Sequence, residues 1–209
     1  MHEHDDQRVA TQDRWNQRYA SMEQVWSGQP NGALVSETAG LLPGKALDVG
    51  CGEGADAVWL AEHGWDVTAL DVSQAALARA ARHAEHARVP VRWVHAGLVE
   101  ASLPPGTFDL VSAQYPALLR TEDHDAEAAL LAAVAPGGTL LVVHHANIDE
   151  EQLRARGIEP EDYVSRSDVA ALLDDTWRIE VNETRPRHVT AGAGSHHTHD
   201  VILRARRLN

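Results

Sequence analysis

Short β-like runs and longer alanine-rich runs alternate through residues 45–145, and few folds accept that alternation. "KALDV", "WDVTAL", "VRWVHA", "TFDLVSAQ" and "GGTLLVVHH" read as strands, because each is short, rich in β-branched or aromatic residues and bounded by turn residues. Between the first three lie "GADAVWLAEHG", closed by Gly64, and "QAALARAARHAEHA", preceded by Ser73 at the N-cap position. Both read as helices, and a further helix is expected over about 125–135. Strands separated by helical crossovers pair in parallel, so the pattern predicts a doubly wound α/β sheet with helices on both faces.

After residue 147 the pattern changes. Two acidic amphipathic pieces, "DEEQLRARG" and "SDVAALLDD", lead into "WRIEVNETR" and "HDVILRARR", which are joined by the glycine-rich "HVTAGAGSHH". Consecutive strands with a short loop between them pair most simply as an antiparallel hairpin at the end of the sheet. Residues 1–40 carry too few apolar side chains for a core of their own. They are expected to form an N-terminal helical lid segment packed on residues 41–209, within one domain overall.

A chain of 209 residues can bury a full core without disulfides or metals. Its net charge of -13 repels phosphate backbones and anionic lipid, so neither nucleic acid nor a membrane is expected as a partner. Cys51 is the single cysteine, which excludes an internal disulfide, and the N-terminus lacks the basic flank and apolar run of a signal peptide. A cytoplasmic enzyme, monomeric or homodimeric, is the expectation.

The turn after the first strand, "LDVGCGEGA", carries Gly50, Gly52 and Gly54. Backbone without Cβ atoms there lets a ligand approach the N-terminus of the following helix. Asp71, at the end of the second strand, is placed to accept hydrogen bonds from a ribose diol. Gly50-x-Gly52-x-x-Ala55 also satisfies the dinucleotide fingerprint with alanine in third place, so a nicotinamide dinucleotide stays open on this motif alone. Asp48 before the turn and Glu53 within it weigh against that ligand, because carboxylates repel a pyrophosphate and attract a cation. S-adenosylmethionine, with an ammonium, a sulfonium, a ribose diol and no phosphate, suits the turn better. Cys51 reads as a small residue of the tight turn against the cofactor, not as a reactive thiol, since no base stands visibly beside it.

Taken together, these stretches resemble the class I S-adenosylmethionine-dependent methyltransferases. "LDVGCGEG" matches the glycine motif, "ALDVS" the ribose strand, "GTFDLVSA" the fourth strand and "VAPGGTLLV" the approach to the fifth, in the family's order. The resemblance implies a Rossmann-like seven-stranded sheet of order 3-2-1-4-5-7-6 with strand 7 antiparallel, S-adenosylmethionine as cofactor and S-adenosylhomocysteine as product. Carried over position by position, it implies that Asp48, Gly50 and Gly52 line the methionine end, that Asp71 binds the ribose hydroxyls and that Val72 packs on adenine. The family often has an acidic residue after the third strand; here "HAGL" puts Gly97 there, so backbone groups of Ala96, Gly97 and Leu98 are expected to hold adenine. The N-terminal "WNQRY" with the following "WSGQPN" is similar to the tellurite-resistance and thiopurine (thiol) methyltransferase branch, in which that segment covers the cofactor. Trp15, Tyr19, Trp26 and Asn31 are then expected to close over the donor and acceptor.

Methyl transfer from a sulfonium is an in-line displacement with an activated donor, so the enzyme supplies proximity, alignment and exclusion of water. The fourth strand ends "SAQYPALL", without the Asn/Asp-Pro-Pro-Tyr of enzymes that methylate exocyclic amines of nucleic-acid bases. A small-molecule acceptor is expected, reacting through sulfur or another chalcogen, or through oxygen or nitrogen. A non-catalytic S-adenosylmethionine-binding module is the alternative from another class.

Sheet topology brings His144 and His145, at the carboxyl end of strand five, near the loop carrying His188, His196 and His197. Gln114 is expected against the cofactor, and Tyr115, His145, His188 and His197 are the candidates for base or acceptor clamp. Exposed histidines in a polar loop are the ordinary alternative. Clustered imidazoles would also suit zinc, nickel or copper, although no metal site is assigned.

Overall fold

The computed structural model describes residues 2–155, 157–187, 192 and 194–209. Seven strands form one sheet: β1 (Lys45–Val49), β2 (Asp66–Asp71), β3 (Arg92–His95), β4 (Phe108–Gln114), β5 (Val134–His145), β6 (Trp177–Pro186) and β7 (His199–Arg207). Their order is β3-β2-β1-β4-β5-β7-β6, and β7 runs antiparallel to both β5 and β6. This is the predicted topology. Because β6 is parallel to β5, the β6–β7 connection lies beyond the same strand ends as the glycine turn after β1.

Among the described residues seven α-helices surround the sheet: α1 (His2–Ser21), α2 (Gly32–Thr38), α3 (Ala55–Glu62), α4 (Gln74–Ala87), α5 (Asp125–Ala133), α6 (Glu150–Ala155) and α7 (Arg166–Ala171). The central strands are buried on both faces, which is why they read as continuous apolar runs. Alternation along each strand separates two layers. Leu47, Val111 and Leu140 face α5 residues Ala126, Leu130 and Ala133, whereas Ala46, Leu110 and Leu141 face Leu34 of α2 and Ala57 and Leu60 of α3.

Local chemistry explains the helix ends. Ser73 Oγ accepts from Ala76 N–H at 3.2 Å to start α4, and Ser165 with Asp168 forms a reciprocal capping box at the start of α7. One boundary differs from the expected one: β5 begins at Val134, because Val134 already pairs with Phe108 and a register shift between Phe108 and Leu110 absorbs the "APGG" turn. The N-terminal segment packs on α4 through a small cluster of Tyr19, Val25 and Ala76, with Trp15 and Trp26 against it. Among the described residues no helix is long and apolar enough to cross a membrane.

His144 gives the fold an expected acid sensitivity. Its Nε2 is enclosed without a hydrogen-bond partner, and burial, followed by His145 and Arg166, lowers the imidazole from 6.5 to about 4. A histidine depressed in the folded state contributes stability that is complete above pH 6.5 and is lost as pH falls toward 4, because the unfolded chain binds the proton more readily. The limit of this contribution is about 3 kcal/mol at 1.36 kcal/mol per pKa unit. Thermal melts of His144→Gln should therefore lose less Tm than wild type across that window; parallel losses would contradict this origin.

Candidate functional site

A cavity of about 760 Å³ opens beyond the carboxyl ends of β1, β2 and β4. Its floor is the β1–α3 turn, where Gly52 has φ 54° and a Cβ would lie 2.7 Å from Tyr19 Oη. Only glycine permits both the conformation and the approach.

Four of the turn's amides are already committed. Gly50 and Cys51 N–H donate to Leu70 O, Gly54 N–H to Cys51 O, and Gly52 N–H to Asp71 Oδ2 at 2.9 Å. In the first turn of α3, Ala57 N–H bonds the Asp48 carboxylate. A pyrophosphate needs such donors free, so this geometry opposes a dinucleotide more directly than charge does.

Asp48 is 2% exposed, and its Oδ2 is enclosed without a partner. Burial, followed by the nearby Asp56 and Asp71, pushes its carboxyl well above the ordinary range. Gln114 turns Nε2 to Ser112 Oγ at 3.0 Å and leaves Oε1 enclosed and unpartnered. Two orphaned oxygens in one wall fit an ammonium group, which would satisfy both. Burial also raises the Cys51 thiol well above its usual value, with Asp48 and Asp71 adding to it, so the thiol stays protonated beside the turn.

Glu53 corrects the sequence reading. Its carboxylate does not face a ligand ammonium: it accepts from Val25 N–H and Trp26 N–H and pairs with Arg79 at 2.7 Å. The second turn carboxylate holds the N-terminal segment, which leaves Asp48 as the carboxylate of the turn with an unpartnered oxygen.

Asp71 is buried, with Oδ1 accepting from Ser73 N–H at 2.8 Å and Oδ2 from Gly52 N–H. It lines the cavity beside Val72, and Gly97 and Leu98 continue that wall, whereas Ala96 is not part of it. Glu100 was missed by sequence reasoning. A Cβ on Gly97 would lie 2.1 Å from Glu100 Oε2, so a carboxylate from three residues on occupies the space that Gly97 leaves. The signal was present in "GLVE", but a turn had to fold it back.

Trp15, Tyr19, Trp26 and Asn31 all line the cavity. Trp26 Nε1 donates to Tyr19 Oη at 2.7 Å, and the Trp15 ring lies 5.9 Å from that of Tyr19 and 6.3 Å from that of Trp26. Asn31 gives its backbone and side-chain N–H groups to Asp56, tying the segment to α3.

At the opposite end the walls are Pro116, Leu118, Leu119 and Ala126, with Tyr115, His145 and Arg187. Tyr115 has φ 52°, costly for a bulky residue, and is held by its N–H to Val143 O and its hydroxyl to Asp200 Oδ2 at 2.9 Å. His145 is stacked between Tyr115, at 4.1 Å and 22°, and His197, at 3.9 Å and 16°. Burial lowers its pKa, with Arg187 acting in the same direction and Asp200 opposing. His197 backs His145 and does not line the cavity. Stacked imidazoles aim their nitrogens in parallel planes, and among the described residues no three His, Cys, Asp or Glu side chains converge on a metal position. His188 lies outside the described residues. Arg187 and Asp200 were not anticipated.

Residues 46–138 match the family described as methyltransferase domain. An uncharacterised methyltransferase of Mycobacterium tuberculosis is 40% identical over 124 residues, which is 58% of this chain and 61% of that relative, less than two thirds of its length. A solved structure associated with conversion of a disulfide bond into a thioacetal group during echinomycin biosynthesis superposes with a TM-score of 0.75 at 24% identity, over 95% of this chain and 92% of that one. A Burkholderia thailandensis 1,6-didemethyltoxoflavin-N1-methyltransferase, solved with its acceptor and S-adenosylhomocysteine, gives 0.66 at 18% identity over 98% and 90%. Sheet order, the matched domain and these neighbours support a class I methyltransferase fold with S-adenosylmethionine as its cofactor.

Proposed function

We propose that this chain transfers a methyl group from S-adenosylmethionine to a small-molecule acceptor, with residues 1–40 as the lid of the single catalytic domain. The observation that carries the donor reading is the pair of enclosed, unpartnered oxygens, Asp48 Oδ2 and Gln114 Oε1, at a turn whose Gly50, Cys51, Gly52 and Gly54 amides are committed elsewhere. When bound, S-adenosylmethionine supplies an electrophilic methyl on a sulfonium. Asp48 and Gln114 hold its ammonium, Asp71 the ribose hydroxyls, and Val72 and Leu98 the adenine face. Glu100 takes the part that an acidic residue after β3 would play for the adenine amino group. Tyr19 and Trp26 close the methionine end against water, which strengthens electrostatic contacts inside the site.

The acceptor end supports a small molecule: apolar walls are broken by His145, Tyr115 and Arg187, a lining suited to one polar group on an apolar body. The thiol and chalcogen branch rests on the N-terminal aromatic segment, and a neighbour of the same fold is associated with conversion of a disulfide into a thioacetal.

Isothermal calorimetry tests the donor reading. S-adenosylhomocysteine should bind and NADH should not. An ammonium beside Asp48 favours its ionised form, so binding expels a proton wherever the free protein holds that carboxyl protonated, and affinity falls with falling pH through that range. Heats measured in buffers of different ionisation enthalpy should reveal that proton, and Asp48→Asn should abolish it. NADH binding in place of the nucleoside would refute the assignment.

A further inference from the structure

The proposed transfer site contains a charge arrangement that selects among acceptors. Arg187 is 9% exposed at its side chain and lines the cavity, whereas Asp200, its carboxylate partner at 3.5 Å, stands behind it outside the lining. The guanidinium is fixed from several sides. Nε donates to Tyr115 Oη at 3.1 Å, Nη1 donates to Gly194 O at 2.6 Å, and the group lies 5.0 Å from the centroid of the Tyr115 ring. Among the described residues Nη2 makes no hydrogen bond. Protein groups alone hold this arginine, and its side chain lines the cavity with Nη2 uncommitted to any described residue.

His145 shares the same corner. Its Nδ1 and Asp200 Oδ1 are both enclosed, both without a hydrogen-bond partner, and 3.6 Å apart. An imidazole with its hydrogen on Nδ1 suits this carboxylate, and that tautomer leaves Nε2 as an acceptor of protons. Nε2 lies beside Gly194, where a Cβ would be in van der Waals contact at 3.4 Å, and glycine leaves that space open. The groups around the imidazole are Tyr115, Arg187, His196, His197 and Asp200, and together they leave it neutral. A neutral base beside a fixed cation takes a proton from an acid and then faces an anion; a protonated amine gains nothing from either group.

We infer that the acceptor is an apolar thiol or phenol, bound as X–H and ionised in place, with Arg187 Nη2 pairing the developing anion and Asp200 acting as a positioning residue for His145. This rests on the methyltransferase reading above. The X–H proton passes to His145 Nε2, the X–C bond forms as the methyl C–S bond breaks, and the bonding pair leaves on sulfur to give the neutral thioether product. No oxidant or further reactant is required.

The test uses the full chain saturated with S-adenosylhomocysteine and two coloured probes, 4-nitrophenol and 4-nitrothiophenol, whose anions absorb at longer wavelength than their acids. Bound probe should ionise at a pH about one unit below free probe, a tenfold shift in its acid constant. Arg187→Gln should erase the shift while Arg187→Lys, which keeps the charge, retains most of it. The probe with the larger shift identifies whether sulfur or oxygen is favoured. With labelled donor, an aniline of the same skeleton should remain unmethylated. His145→Gln should slow methylation at low pH and approach wild type once the free acceptor is already ionised, a recovery that loss of packing alone would not produce. Unshifted probe ionisation in the wild type, failure of both probes to bind the complex, or methylation of the aniline at the rate of the thiol would each overturn the inference. Failure of S-adenosylhomocysteine itself to bind would instead overturn the donor reading.

Discussion

Arg79→Met should weaken S-adenosylhomocysteine binding by about a hundredfold while leaving the sheet folded. One guanidinium on α4 pairs with Glu53 in the glycine turn and donates to the carbonyls of Tyr19 and Met22 at the end of α1. It therefore ties the N-terminal segment, the turn and the helix together. The side chains of Arg79 and Glu53 are 19% and 10% exposed, so removing the cation strands a largely enclosed carboxylate, at a cost of about 3–5 kcal/mol. That loss falls on lid docking, because the two large apolar layers contain neither α1 nor residues 22–26. Hydrogen exchange should show faster amides through α1 and residues 22–31, with β1, β4 and β5 unchanged. Uniform loss of protection would mean that the segment belongs to the core, and unchanged binding would mean that it does not cover the cofactor.

Asp71→Ala should cost at least as much affinity by a different route. The carboxylate holds the backbone N–H groups of Gly52 and Ser73, so truncation leaves two buried donors unpaired, each worth about 1–3 kcal/mol, and removes the proposed ribose acceptor as well. Both the melting temperature and the affinity should fall. Calorimetry with the 2′-deoxy analogue of S-adenosylhomocysteine separates the two roles: wild type should discriminate against the analogue by roughly tenfold or more, and the variant should not. Equal discrimination in both proteins would place the ribose contact elsewhere.

Much of the site was legible because its signals are local. A glycine at a positive-φ turn, an acid at a strand end and a serine at a helix start are each set by a few neighbouring residues. Hence the β1–α3 turn, Asp71 and the Ser73 cap could be read from short stretches, and hydrophobic period with crossover length carried the sheet as far as its antiparallel ending. The aromatic positions of the lid were equally visible. Their attachment was not, because it depends on Arg79, a helix-surface arginine in the sequence that meets Tyr19 across 60 positions.

What the sequence determined by itself was therefore the order of elements, the place of the glycine turn and the chemical sign of its walls. Tertiary structure decided which carboxylates are paired within the protein. Glu53 and Asp48 look equivalent in "LDVGCGEG", yet one meets Arg79 and two backbone amides while the other keeps an oxygen enclosed and unpartnered. Likewise Tyr115, His145, Arg187 and Asp200 come from four separate segments and become one corner only when β7 inserts between β5 and β6. The physical reason is range. Backbone conformation and burial period are set within a turn or a few residues, whereas the pairing of a charge or the tautomer of an imidazole depends on whatever the completed sheet brings within hydrogen-bond reach.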